Sequence, residues 1–268
     1  SYINGNAMAL DNISDKIDCF KSGIKQIKDI PIDSLTSTRM LAQREANTTN
    51  LPSINKDLLG EFMQKIQYPL YFFDIEAYQP AVPLFNETSP FQAIPFQFSI
   101  HFAESEDATL EAKEYITTPG EDGREAFLKA FIEATEAPGQ ILVFNTILEK
   151  GILFKLGKLY PKYAKFIKDR MQRMVDLETP FKKDWYYHPK MNGSYSMKGI
   201  LPALIDNMSY SNMNVKDGVD AMILYQQLAE ETDEATKVKT IQDLLSYCRM
   251  DTLALYHVFK SLKKITRP

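Results

Sequence analysis

The chain has 268 residues, 44% of them hydrophobic and 25% charged, enough to bury a substantial core in one domain plus an appendage. Its net charge of -4 leaves no overall basic footprint of the kind that phosphate recognition usually leaves. Cys19 and Cys248 are the only cysteines, which argues against a disulfide framework or a zinc site, and with no membrane-length apolar run and no secretory pattern the expected location is cytoplasmic.

Residues 1–66 read as a helical connector or appendage, with a helix over Asp11 to Lys28, and as the tail of a larger upstream piece. The aromatic run from Tyr68 to Glu76 follows and has the composition of a buried strand. Side chains two apart on a strand share a face, so Asp74 and Glu76 converge while Phe73 and Ile75 point to the opposite layer. Two carboxylates in an apolar setting repel and desolvate each other, and a divalent cation relieves both costs.

From Gln79 to Pro95 the chain carries four prolines, long for a tight connection, and we expect this loop to border a substrate cleft with Phe85 and Phe91 available for stacking or packing. Ile94 to Phe102 alternates, with Phe96, Phe98, Ile100 and Phe102 on one side and Gln97, Ser99 and His101 on the other, which predicts a second strand. A third strand over Glu111 to Thr117 and an amphipathic helix over Arg124 to Ala134 come next. The apolar run Gln140 to Phe144 predicts a fourth strand ending at Asn145, a residue suited to cap a helix, so that Glu149 lies one turn into that helix.

Eight basic residues and one acid, Asp169, fall between Lys150 and Arg173. This run either steers a phosphate backbone, with Lys150 nearest the second acidic signal, or is a solvated helical face. The stretch Lys183 to Lys198 concentrates the single Trp, three Tyr and one His; it suits a base-stacking clamp through Tyr187, or a packed turn before a helix. Finally, Ile241 to Phe259 repeats apolar residues at three and four, as on a helix facing a core, and puts Tyr247 and Asp251 on one face.

The three acidic settings, Asp74-Ile75-Glu76, Asn145 to Glu149 and Tyr247 to Asp251, resemble the DEDD exonucleases, in the branch with Tyr-x-x-x-Asp in the last motif. That resemblance implies an α/β, ribonuclease H-like mixed sheet flanked by helices over residues 67–268, with the N-terminal helical segment outside it. It implies Asp74, Glu76, Glu149 and Asp251 as ligands of two Mg²⁺ or Mn²⁺ ions, and Tyr247 as the group that orients the attacking water. An unperturbed phenol pKa of about 10 suits Tyr247 to hydrogen bonding rather than to general-base work. The family usually supplies Asp where this chain has Glu149, so Asp176 is held in reserve as a ligand. Asn145, Lys150, Tyr187, Ser196 and Lys198 are the expected nucleic-acid contacts, the last two through a Ser-x-Lys phrase that starts a helix in these enzymes.

Longer phrases, Tyr68 to Tyr78, Ile94 to Ser99, Tyr186 to Pro189 and Gly193 to Lys198, are similar to an uncharacterised bacterial domain family in which this exonuclease-like unit often follows a RecB-type nuclease domain. The implied activity is two-metal, 3′ to 5′ hydrolysis at single-stranded DNA or RNA ends. The alternative is a non-catalytic nucleic-acid-binding or interaction module on the same fold.

Overall fold

A computed structural model of the chain describes residues 5–10, 13–206 and 208–267. In chain order the helices and strands are α1 (Ile13–Lys21), α2 (Thr38–Thr49), β1 (Ser53–Ile54), α3 (Lys56–Gln64), β2 (Leu70–Tyr78), β3 (Ile94–Ala103), β4 (Glu111–Ile116), α4 (Arg124–Ala134), β5 (Gln140–Val143), α5 (Thr146–Leu159), α6 (Ala164–Arg173), β6 (Met174–Asp176), α7 (Thr179–Lys182), β7 (Tyr186–Tyr187), α8 (Met197–Leu204), α9 (Gly218–Gln227) and α10 (Glu234–Ile265). No helix among the described residues is long and apolar enough to cross a membrane. The helix expected over Asp11 to Lys28 is shorter: its first two residues lie outside the described ones, and a left-handed turn at Gly23 separates α1 from a short 3₁₀ turn, Ile27–Asp29.

Two compact units divide the chain, one of Ser1–Lys65, Glu178–Ser209 and His257–Pro268, the other of Ile66–Leu177 and Tyr210–Tyr256. The division therefore differs from a simple break at residue 66, because later segments cluster with the N-terminal one. In this first unit β1 pairs antiparallel with β7, Ser53 opposite Tyr187 and Ile54 opposite Tyr186. Arg39 Nε donates to Asp184 Oδ1 at 2.9 Å, and its guanidinium lies 4.4 Å from the Tyr195 ring centroid. Leu10, Ile27, Ile30 and Met40 form a small core of their own.

The second unit is built on a five-stranded sheet of order β4-β3-β2-β5-β6, in which β3 is antiparallel to β2 and β4 while β2, β5 and β6 run parallel. Strand β6, three residues long, was not expected from the sequence; its pattern is too short to show a period of two. One face of the sheet packs Tyr71, Phe73, Ile75, Phe98 and Ile100 against Phe127, Phe131, Ile152 and Leu156 from α4 and α5. Phe73 and Phe131 ring centroids are 4.7 Å apart, with both side chains fully buried. Replacing Phe131 by alanine is expected to destabilise the protein by about 3–5 kcal/mol, the usual range for emptying an aromatic site; urea unfolding measures it, and a loss below about 1 kcal/mol would contradict this packing.

The alternation read in β3 corresponds to two covered faces, not to one wet and one dry. Gln97 and Ser99 are fully buried and His101 nearly so. Phe96 also leaves the expected face: Glu76 pairs with Gln97 and Ala77 with Pro95, so Phe96 is the extra residue of a β-bulge. It joins Tyr78, Val215, Tyr225, Leu244 and Tyr247 in a second core and stacks on Tyr225 at 4.1 Å.

Candidate metal centre

Strand β2 is central in its sheet, and β5 pairs only with its first three residues, Leu70 to Phe72. Asp74 and Glu76 therefore lie just past the carboxyl end of β5, where sheet growth changes direction, the crevice in which open α/β sheets place ligands. They face the side on which β3 carries Gln97, Ser99 and His101, and α10 is anchored there. Gln97 Nε2 donates to the Leu244 carbonyl at 2.8 Å, and Thr252 Oγ1 lies 3.0 Å from Ser99 Oγ and 2.8 Å from His101 Nδ1. These polar contacts set the rotation of α10, and one helical turn carries Tyr247, Cys248 and Asp251 towards β2.

As a result Asp74, Glu76 and Asp251 each offer a carboxylate oxygen, all within 4.8 Å of one another. Burial pushes the Asp74 pKa well above its ordinary value, and the charges of Asp251, Glu76 and Glu149, in that order, push it further. The one opposing influence is the Cys248 thiol, which donates to Asp74 Oδ2 at 3.6 Å. Cys248 is thus more than a small buried hydrophobe: burial first, and then the charges of Asp74, Glu76 and Asp251, raise its own pKa and keep it a neutral donor. Beside Glu76, a Cβ added to Gly218 would come within 3.5 Å of Oε2, so the N-terminus of α9, capped by Asp217, approaches that carboxylate. The positive end of a helix favours a carboxylate there by a few tenths to about 1 kcal/mol.

Glu149 is buried on the first turn of α5 and acts electrostatically on Asp74, yet it stands outside the group of three whose oxygens lie within 4.8 Å. Asp176 is not among the three either. It accepts from the backbone N–H groups of Asn145 and Thr146 at 3.0 and 3.2 Å, holding the turn between β5 and α5. That turn needs holding because Asn145 sits at φ 70 while its side chain caps α5 by accepting from Ile147 N. Through these bonds Asp176 positions the segment that carries Glu149.

The sequence reading missed Tyr210. Its hydroxyl donates to Asp251 Oδ1 at 2.6 Å, and its ring lies 6.1 Å from that of Tyr247. Burial foremost, and then the nearby acids, raise the pKa of both phenols, so both remain protonated donors. Nothing in its sequence setting, Ser209-Tyr210-Ser211, marks it, because it reaches the site through a loop. Substitutions of groups that orient metal ligands typically cost about 10–100-fold in metal affinity. Tyr210→Phe should fall in that range in a Mn²⁺ titration, and unchanged affinity would remove the positioning role.

The other expected contacts fall in both units. Lys150 lines a groove between α5 and α6. Tyr187 belongs to the first unit, is 1% exposed, and accepts from Gly193 N at 3.2 Å; a ring so enclosed packs and does not stack on a base. Ser196 caps α8 by accepting from Gly199 N, and Lys198 lies exposed on that helix in the same unit. In the loop after β2, Phe85 packs on the second core and Arg124 Nη2 donates to the Asn86 carbonyl at 2.8 Å, leaving Phe91 as the exposed ring.

No curated protein and no solved structure matches the chain. Residues 71–196 match a family model described as a domain of unknown function (DUF2779), a span that carries Asp74, Glu76 and Glu149 and ends before Tyr247 and Asp251.

Proposed function

We propose that this chain is a metal-dependent phosphodiesterase, most simply a 3′ to 5′ exonuclease acting on single-stranded DNA or RNA ends, on a ribonuclease H-like framework. The single observation that carries the reading is the convergence of Asp74, Glu76 and Asp251 within 4.8 Å at the carboxyl end of a parallel pair of strands. Strand order and direction support the framework. An all-carboxylate donor set fits Mg²⁺ or Mn²⁺, hard cations that take oxygen ligands and keep waters. The upward shift of Asp74 fits as well, since the causes acting on it include three acids and no base.

Bound at this site, two such ions would supply an activated water and stabilisation of the departing oxygen of a phosphodiester. In this chain Asp74, Glu76 and Asp251 would hold them, with Glu149 reaching in from α5. Tyr210 fixes Asp251 through its hydrogen bond, and Tyr247, kept protonated by burial, presents a donor to an incoming oxygen. Cys248 fixes Asp74. A cytoplasmic location and an adjoining RecB-type nuclease domain belong to the same proposal.

The test is digestion of end-labelled single-stranded DNA and RNA in Mg²⁺ or Mn²⁺. Stepwise shortening from the 3′ end is expected, the preferred polymer giving the class. The place of Glu149 outside the group of three favours a second reading, a nucleic-acid-binding module without catalysis. Binding without cleavage in either ion would select it.

A further inference from the structure

A groove of about 550 Å³ lies between α5 and α6, and the chemistry proposed above makes no use of it. Its floor is Phe154, Ile167 and Met171, and its rim carries Lys150, Lys158 and Lys168. The small side of α5 shapes it: a Cβ on Gly157 would meet Ile167 Cδ1 at 3.3 Å, so the helices close together at that point and leave a trough beside it. Phe154 is 54% exposed, with Lys158 Nζ 4.5 Å from its ring centroid. A large aromatic side chain left this open keeps apolar surface in water that a partner would cover.

Charge gives the direction. Residues 150–173 carry eight basic side chains and one acid in a chain of net charge -4. Three of the eight are engaged elsewhere: Lys162 with Glu125, and Arg170 and Arg173 with Asp169 and with carbonyls at and just after the end of α4. The rim lysines make none of these ion pairs. A solvated basic face needs no apolar floor, and a sugar-phosphate backbone needs donors along its whole track, which this floor does not offer. Lysines around an apolar trough suit a ligand that is both acidic and apolar.

We propose that this groove docks an acidic protein segment, whose apolar side chains fill the floor against Phe154 and Ile167 and whose carboxylates pair with Lys150, Lys158 and Lys168. This goes beyond the nuclease reading and stands apart from it.

The probe is a short fluorescein-labelled peptide alternating glutamate with leucine and phenylalanine, titrated by anisotropy. Saturable binding is expected that weakens with added salt, as exposed charge pairs do. Phe154→Ser and, separately, Lys168→Glu should each weaken it at least about tenfold, the loss typical of an interface anchor. Both positions are exposed, and an unchanged circular dichroism spectrum and Tm confirm the fold; Lys168→Glu carries the test if Phe154→Ser does not fold. Asp74→Asn should bind the peptide as the wild type does, which separates this claim from the metal centre. A peptide with lysine in place of glutamate, and one with glutamine in place of the apolar residues, should not bind. Equal binding of the purely acidic peptide, or no binding at all, overturns the proposal. So does an oligonucleotide that displaces the peptide and is itself weakened by Lys168→Glu, which would make the groove a nucleic-acid face. Self-association lost in Phe154→Ser would make it a contact between copies and overturns it equally.

Discussion

Asp74→Asn and Asp251→Asn are each expected to reduce hydrolysis of end-labelled single strands by about 10³-fold or more, with nucleic-acid binding retained. Stabilising the charge of a transferring phosphoryl group is worth several kcal/mol, and each 1.36 kcal/mol is tenfold in rate. Both side chains belong to the group of three oxygens within 4.8 Å, and asparagine keeps their shape while removing the charge that holds a cation. Tyr247→Phe should cost less, about tenfold, because its phenol is a protonated donor and not a ligand. Single-turnover gels measure all three. If Asp74→Asn retained more than about a tenth of wild-type activity, the site would have been placed wrongly.

The second large effect concerns stability without metal. Asp74 has a pKa raised well above 3.8 in the folded chain, by burial first and then by Asp251, Glu76 and Glu149. A carboxyl raised on folding contributes stability that is fully present below its unfolded pKa and is lost as pH rises through the folded value. The metal-free protein should therefore lose this contribution as pH climbs from about 4 towards neutrality, with the four acids left facing one another. Asp74→Asn removes the penalty, so the variant should melt above the wild type at pH 7 in chelator, and the two should converge as pH falls towards 4. Saturating Mn²⁺ should reverse the order: a ligand at about a hundred times its Kd adds about 2.7 kcal/mol. At about 2–4 °C per kcal/mol for a chain of this size, the wild type alone should gain roughly 5–10 °C. Thermal scans with and without ion measure it; equal ion-induced shifts in wild type and variant would contradict the assignment.

Several features were legible in the sequence because they are local. The two-residue repeat of a strand put Asp74 and Glu76 of the aromatic run on one face, the 3.6 period put Tyr247 and Asp251 on one face of a helix, and Asn145 announced the start of α5. What escaped depends on distant partners. Asp176 looks like any strand-end acid until the Asn145 and Thr146 N–H groups come to it, and Tyr210 joins the site through a hydrogen bond to a residue 41 positions later. Phe96 changes face because of a bulge, which single-strand periodicity cannot register. The aromatic setting of Tyr187 is compatible with a stacking clamp and with a packed turn, and only the fold shows its ring to be 1% exposed. The basic run was equally legible as charge, while the trough beneath its lysines required the packing of α5 on α6.

If Asp74, Glu76 and Asp251 hold divalent ions for phosphodiester hydrolysis, an anomalous-scattering map from crystals grown with Mn²⁺ will show those ions in place. Two peaks about 3.5–4 Å apart, bounded by those three carboxylates and lost in Asp74→Asn, are the predicted result. A map with no peak at the three carboxylates, from crystals in saturating Mn²⁺, would contradict it.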